Sequence, residues 1–275
     1  MIKDIIRHRG RNVDLHKLFP SMITIIGLCF GIISIHYAVD KKFDYAVIFV
    51  ILAAFIDGID GKIARLLKST STFGAHLDSL SDLVSFGVAP GIIMHVWLFD
   101  NDAHYEIGEA IILVYIICSA LRLARFNNDQ IIENSHKVGC GAGDSDDLSD
   151  DIASHKKNFF SGLPVPAAAI ICLTPLMMQF KLLSGYHFNT LFIVVYIFCV
   201  GMLMVSKLPM LSFKYTKIQS KYIPFLFILL CIIVLTSVIE PWVVMPILSV
   251  VYATVLIPLG VIAYYRGHIA FFSKR

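Results

Sequence analysis

Eight apolar stretches, each close to the length that crosses a bilayer as a helix, alternate along this chain with polar intervals. A helix needs about 20 predominantly apolar residues to span the hydrocarbon core. Prolines interrupt the fifth and the last stretch, which membrane helices tolerate when neighbours satisfy the freed carbonyls. The pattern predicts an all-α, polytopic membrane bundle of about eight transmembrane helices. They are placed at 19–38, 43–66, 74–99, 107–126, 165–182, 189–206, 222–239 and 243–265.

The composition agrees with a membrane protein and narrows the chemistry. Of the 275 residues, 57% are hydrophobic and 16% are charged, and the mean hydropathy is +0.76. Soluble domains carry charge on about a quarter of their residues. The six cysteines include no CxxC pair, so neither a zinc site nor a disulfide framework is indicated. The net charge of +3 is small, and we expect no nucleic-acid partner.

Basic residues are distributed unevenly between the two ends of the predicted helices. All of the 23 lysines and arginines except Lys41, Lys42 and Lys181 fall on one side. Because cytoplasmic loops carry the excess of basic residues, both termini are predicted to be cytoplasmic. Residues 1–18 then form a basic cytoplasmic or interfacial segment, and residues 19–275 form one membrane-embedded domain.

The longest polar interval of that domain, residues 127–158, is predicted to be a cytoplasmic loop. It contains a glycine-rich stretch at 139–143, which is followed by several aspartates. A second metal site there is the less favoured interpretation, because glycine-rich acidic loops are usually solvated linkers.

Four aspartates lie in or beside apolar stretches: Asp57, Asp60, Asp78 and Asp82. A charged carboxylate at the centre of a membrane helix costs about 2.5–3.5 kcal/mol on insertion scales. Residues three or four apart on a helix share a face, so each pair projects from one side of its helix. Because the two helices are antiparallel neighbours, the four carboxylates are predicted to converge near the cytoplasmic surface.

A divalent cation is the simplest compensation for clustered carboxylates. Ligation by oxygen alone favours Mg²⁺, Mn²⁺ or Ca²⁺ over zinc, and phosphate or pyrophosphate is the natural substrate of such a site. Gly61 and Ala64 leave space beside the acids, and Arg65 adds a phosphate donor. Two interpretations are weaker. The acids could only pair with neighbouring lysines and arginines, or they could line a cation-transport path, which would place them near the membrane midplane.

Residues 57–82 follow the pattern D-x2-D-G-x2-A-R-x8-G-x3-D-x3-D. This pattern resembles the signature of the CDP-alcohol phosphatidyltransferase family, and every defined position is matched. The resemblance implies a metal-dependent enzyme that moves a phosphatidyl or similar group from a CDP-linked donor to an alcohol and releases CMP.

The resemblance also implies a role for each residue of the pattern. Asp57, Asp60, Asp78 and Asp82 would hold Mg²⁺ or Mn²⁺, and Asp82 would also be the general base that takes the proton of the attacking hydroxyl. The residues expected to bind CDP are Gly61, Ala64, Arg65 and Gly74.

Three further stretches, 18–24, 119–127 and 159–168, resemble the bacterial and archaeal phosphatidylserine synthase branch of that family. The branch implies CDP-diacylglycerol and L-serine as substrates, in a bacterial or archaeal cytoplasmic membrane, with the active site on the cytoplasmic side. Homodimers are common in the family, although no residue of this chain indicates one. The alternative acceptor is glycerol 3-phosphate, but the members that use it are typically shorter.

Serine carries a carboxylate, which needs a cation near the general base. Arg122 and Arg125 stand three residues apart at the cytoplasmic end of the fourth predicted helix. They are candidates for binding the serine carboxylate and a lipid or nucleotide phosphate. The other interpretation makes both of them ordinary interfacial charges.

Overall fold

The computed structural model of the chain describes residues 15–66, 72–99, 105–139, 159–183, 185, 188–206, 209–211, 223–256 and 258. Most of these residues are helical, as the apolar pattern predicts. Two π-helical segments also occur: Leu83–Val88 joins α3 to α4, and Tyr252–Leu256 follows α9. The elements in chain order are α1 (Leu15–Val39), α2 (Phe43–Leu66), α3 (Thr72–Asp82), α4 (Ala89–Leu98), α5 (Tyr105–Gly139), β1 (Phe159–Ser161), α6 (Val165–Lys181), α7 (Thr190–Val205), β2 (Pro209–Leu211), α8 (Ile223–Ile239) and α9 (Pro241–Val251).

The segment after residue 126 differs from the sequence prediction. The predicted helix 107–126 continues as α5 to Gly139, so the prediction of a loop was wrong over 127–139. Polar residues do not by themselves end a helix, and neither proline nor glycine occurs between Asn127 and Val138. The remainder of the predicted loop, 140–158, lies outside the described residues. A second difference is the short antiparallel pair of β1 and β2, which an all-α fold does not include.

Two helical stretches in the described part of the chain are long and apolar enough to cross a membrane, Ser21–Val39 and Phe73–Leu98. Shorter apolar helices follow in α6, α7, α8 and α9. These helices agree with the helical membrane bundle that the apolar pattern predicts. Eight crossings and two cytoplasmic termini stay predictions, and the basic segment 1–18 falls mostly outside the described residues.

α1 lies at the centre of the N-terminal half, where it packs against α2, α3 and α4. Hydroxyl groups hold these contacts: Ser34 Oγ donates a hydrogen bond to Ala46 O at 2.8 Å, and Ser85 Oγ donates one to Gly27 O at 3.4 Å. Small residues let helix backbones approach closely, and hydroxyls can then bond across the interface. The buried face of α1 consists of Ser21, Thr24, Gly27, Gly31, Ser34 and Ala38.

The π-helical segment Leu83–Val88 begins directly after Asp82. Segments of this kind are rare and often occur at functional sites. Tyr115 is fully buried on α5 and donates a hydrogen bond to Phe86 O at 3.0 Å. This bond satisfies a carbonyl within the irregular segment and fixes α5 beside the helix that carries Asp82.

Helix α9 packs against α6. The hydroxyls of Thr174 and Ser249 lie 2.5 Å apart in this interface, and both residues are buried. Near the other end of the same interface, the rings of Phe180 and Trp242 meet edge to face with their centroids 4.8 Å apart. These contacts attach α9 to α6, which in turn packs against α2 and α4.

Replacing Gly31 with alanine is expected to destabilise the protein by about 1–3 kcal/mol, because the added methyl overpacks the helix contact. A Cβ at this position would lie 2.9 Å from the backbone Cα of Ser85. The matched control is Gly27→Ala on the same face, where the nearest atom, Ile56 Cγ2, would be at an ordinary 3.4 Å. The melting temperature in detergent should fall by several degrees for Gly31→Ala only. Equal melting temperatures for the two variants would show that this contact is not tight.

Candidate active site

The four aspartates predicted from the sequence are brought together by α2 and α3. One carboxylate oxygen from each of Asp57, Asp60 and Asp78 lies within 4.8 Å of the other two. The side chains of Asp57 and Asp82 are within hydrogen-bonding reach of each other, and Asp82 interacts electrostatically with all three other acids. The predicted convergence of the four side chains is thus present in the fold.

This acidic cluster is shielded from solvent. Asp60 is only 4% exposed, and the other three aspartates are half-buried. Like charges at such distances repel, and burial removes the water that would screen them. Arg122 of α5 lies within electrostatic range of Asp82, and its positive charge offsets part of this repulsion. A bound cation would offset more of the repulsion among these acids.

The donor set fits a divalent cation. The oxygens of Asp57, Asp60 and Asp78 lie within 4.8 Å of one another. Ligands on opposite sides of a Mg²⁺ ion lie about 4.2 Å apart, so the three side chains would have to close by at most about 0.6 Å to share one ion. Oxygen ligands alone suit Mg²⁺ or Mn²⁺ rather than a metal that prefers sulfur or imidazole. The cluster can therefore hold a divalent cation that prefers oxygen ligands.

The residues predicted to bind CDP flank the acids. Gly61 follows Asp60, and its backbone N–H donates to the Asp60 carboxyl. Gly74 is half-buried on α3, one turn before Asp78. Ala64 and Arg65 lie on α2 beyond Gly61, but their side chains fall outside the described residues, so their roles stay predictions.

The structure separates the two arginines that the sequence treats as a pair. Arg122 is half-buried and faces Asp82, and its Nε has no hydrogen-bond partner within the described part of the chain. Arg125 instead donates a hydrogen bond from a terminal nitrogen to Val205 O, at 2.8 Å. Val205 is the last residue of α7, where free carbonyls attract cations. Arg122 is therefore the better candidate for a substrate carboxylate.

Three residues near the acids were not singled out by the sequence. Thr24 on α1 donates a hydrogen bond to Asp60, and Asn127 on α5 lies 3.0 Å from the hydroxyl of Ser79. Tyr252, in the π-helical segment after α9, interacts electrostatically with Arg122. Thr24 and Asn127 each belong to a stretch that resembles the family branch, 18–24 and 119–127, but neither stretch indicates which partner the side chain contacts. Tyr252 falls in none of these stretches, and its contact with Arg122 joins distant parts of the chain.

Comparison with known proteins agrees with the geometry. The profile of a family described as CDP-alcohol phosphatidyltransferase matches residues 17–200. The chain is 35% identical to a Helicobacter pylori protein over 82% of this chain and 83% of the relative. A Bacillus subtilis protein is 32% identical over 71% of this chain and 90% of the relative, and a Mycobacterium leprae protein is 28% identical over 90% and 75%. Each of the three relatives is named CDP-diacylglycerol–serine O-phosphatidyltransferase.

Proposed function

Because the chain belongs to the CDP-alcohol phosphatidyltransferase family, we propose that it transfers the phosphatidyl group of CDP-diacylglycerol to the hydroxyl of L-serine. The products are phosphatidylserine and CMP. The observation that carries this proposal is the convergence of Asp57, Asp60 and Asp78, with Asp82 in electrostatic contact with all three. The four aspartates lie inside the part of the chain that the family profile matches. The shared name of the relatives supports serine as the acceptor.

The reaction exchanges one phosphorus–oxygen bond for another. The serine hydroxyl oxygen forms a bond to the phosphorus of the phosphatidyl group, while the anhydride bond from that phosphorus to CMP breaks. Asp82 takes the hydroxyl proton, since an alcohol is a poor nucleophile until it is deprotonated. Asp57, Asp60 and Asp78, with Asp82 as a further candidate ligand, would hold Mg²⁺ or Mn²⁺. When bound, that ion would compensate the charge of the diphosphate and of the departing CMP.

Substrate binding is assigned to residues around the acids. Gly61, Ala64, Arg65 and Gly74 flank the cluster in sequence and are proposed to bind the CDP moiety. Arg122 is proposed to bind the serine carboxylate, since it faces Asp82 and keeps an unpaired Nε among the described residues. Arg125 is left with a structural role at the end of α7, and this departs from the expectation that both arginines bind substrate.

The membrane arrangement is part of the proposal. The lipid donor would reach the site from the bilayer, and serine and CMP would exchange with the cytosol if the basic residues mark the cytoplasmic side. Residues 19–275 would then form one membrane-embedded domain, of which the family profile matches the part up to residue 200. Nothing in the described residues supports a homodimer. A cation transporter is the less favoured interpretation, because the similar proteins are named as transferases.

Lysine in place of Arg122 is expected to raise the KM for serine by about 10- to 100-fold, because a charged hydrogen bond contributes about 1.5–3 kcal/mol and lysine lacks the planar fork. The KM for CDP-diacylglycerol should change by no more than about twofold. Initial rates of CMP release at varied concentrations of each substrate separate the two constants. An unchanged serine KM would remove Arg122 from the acceptor site.

A comparison of acceptors tests the proposed function. Purified protein in detergent would receive CDP-diacylglycerol with Mn²⁺ or Mg²⁺, and CMP release would be followed with serine, glycerol 3-phosphate, inositol or no alcohol. Release that depends on serine is the expected result. CMP release with glycerol 3-phosphate but not with serine would support the mechanism and change the acceptor. The absence of metal-dependent CMP release with every alcohol would contradict the proposal.

A further inference from the structure

Thr24 of α1 connects the two helices that carry the aspartates. Its hydroxyl donates a hydrogen bond to Asp60 Oδ2 at 2.9 Å, and its backbone carbonyl accepts one from Ser81 Oγ at 3.3 Å. Asp60 belongs to the pair on α2, whereas Ser81 stands directly before Asp82 on α3. A single residue of a third helix therefore contacts both halves of the site.

All three of these residues are withdrawn from solvent. Thr24 is 6% exposed, Asp60 is 4% exposed and Ser81 is 6% exposed. A hydrogen bond to a buried carboxylate is stronger than the same bond in water, and solvent cannot replace it when it is lost. The Thr24–Asp60 contact also joins residues 36 positions apart in the chain. It is therefore a contact of the tertiary fold.

The hydrogen bond restricts how the Asp60 carboxylate can turn. With Oδ2 accepting from Thr24, rotation about the bond to the carboxyl carbon is limited. The backbone N–H of Gly61 donates to the same carboxyl group and limits it further. Groups that hydrogen-bond to a metal ligand from behind orient that ligand, and their removal typically lowers metal affinity by about 10- to 100-fold.

We propose that Thr24 is a positioning residue for the divalent cation. It acts through Asp60, whose carboxylate its hydroxyl orients. Its backbone carbonyl accepts the hydrogen bond of Ser81 on α3, and this contact is kept whatever side chain stands at position 24. The inference rests on the proposed function in one respect, that Asp60 is a metal ligand. Nothing in it requires serine to be the acceptor.

Ser34 provides a matched control on the same helix. Like Thr24 it is buried on the inner face of α1, and its hydroxyl donates a hydrogen bond to the α2 backbone, at Ala46 O and 2.8 Å. It lies ten residues further along α1, which is about 15 Å at the rise of a helix. The two hydroxyls therefore make comparable contacts between α1 and α2, but only Thr24 contacts an aspartate of the cluster.

The test measures Mn²⁺ binding itself. Purified protein in detergent would be titrated with Mn²⁺, and the free ion would be followed by electron paramagnetic resonance. Thr24→Val, which keeps the shape and removes the hydroxyl, is expected to weaken binding by about 10- to 100-fold. Thr24→Ser, which keeps the hydroxyl, and Ser34→Ala should both bind within about threefold of the wild type. Melting curves without metal would establish that each variant is folded.

Several outcomes would overturn the positioning role: wild-type affinity in Thr24→Val, an equal loss in Ser34→Ala, or no Mn²⁺ binding by the wild-type protein. If Thr24→Val fails to fold, Thr24→Ala removes the same hydroxyl with less bulk and takes its place. The acceptor assay keeps this inference separate from the proposed function. Normal CMP release with unaltered Mn²⁺ binding in Thr24→Val would refute the inference alone. Weakened binding in a protein that releases no CMP would support the inference and refute the function.

Discussion

Asparagine in place of Asp82 is expected to lower the rate of CMP release by about 10²- to 10⁴-fold, which is the usual contribution of a positioned general base. The amide keeps the size of the carboxyl group but cannot accept the serine proton. Asp82 also interacts electrostatically with the other three acids. Removing its charge therefore reduces the repulsion in the cluster, and we expect the folded protein to be retained.

The control for this variant is Asp44→Asn, another aspartate, exposed in the first turn of α2. It lies thirteen residues before Asp57, about 20 Å along the helix, and its replacement should leave the rate within about twofold. Initial rates at saturating serine and CDP-diacylglycerol would be compared after both variants are shown to melt cooperatively. More than a tenth of the wild-type rate in Asp82→Asn would rule out Asp82 as the general base.

Chelation of divalent cations is expected to abolish CMP release, with a loss of at least about 100-fold, because compensation of phosphate charge by a bound ion is worth several kcal/mol. Without the ion, Asp57, Asp60 and Asp78 present only negative charge to a diphosphate substrate. Addition of Mg²⁺ or Mn²⁺ in excess of the chelator should restore the rate. The measurement is the rate of CMP release before chelation, after it and after the ion is returned.

The variant Asp78→Asn tests whether this residue is one of the metal ligands, because one of the three converging carboxylates then loses its charge. This variant should need a higher concentration of Mn²⁺ than the wild type for half-maximal CMP release. Full activity of the wild-type protein in excess chelator would contradict the metal-dependent mechanism. Identical Mn²⁺ requirements in the two proteins would remove Asp78 from the ligand set.

Much of the fold could be predicted because apolar stretches of the required length are a direct signal for helices in membrane proteins. The bounds of α6, α7 and α8 agree with the predicted helices to within about two residues, the usual uncertainty of helix ends. The continuation of α5 to Gly139 has no apolar signal, because most residues after Phe126 are polar, although none of them up to Val138 is a residue that ends a helix. The π-helical segment after Asp82 was missed because Leu83–Val88 is as apolar as regular helix and contains no local signal.

The positions of the four aspartates could be predicted from the sequence, but most of the residues that contact them could not. Helical spacing places Asp57 with Asp60 and Asp78 with Asp82, and a short connection makes the two helices neighbours. The partners of these acids come from other helices, as with Thr24 from α1 and Arg122 from α5. The sequence does not say which of two nearby arginines faces the site. The packing of the helices determines which arginine faces the site. The guanidinium of Arg125 donates a hydrogen bond to Val205 O, whereas Arg122 faces Asp82.

Incorporation of labelled serine into lipid tests the central claim most directly. Purified protein in detergent would be given CDP-diacylglycerol, labelled L-serine and Mn²⁺, and extractable labelled lipid and CMP would be quantified together. Metal-dependent phosphatidyl transfer to serine predicts equal molar amounts of the two products, both lost with chelator and with Asp82→Asn. CMP release without labelled lipid, or labelled lipid that forms equally well in Asp82→Asn, would contradict it.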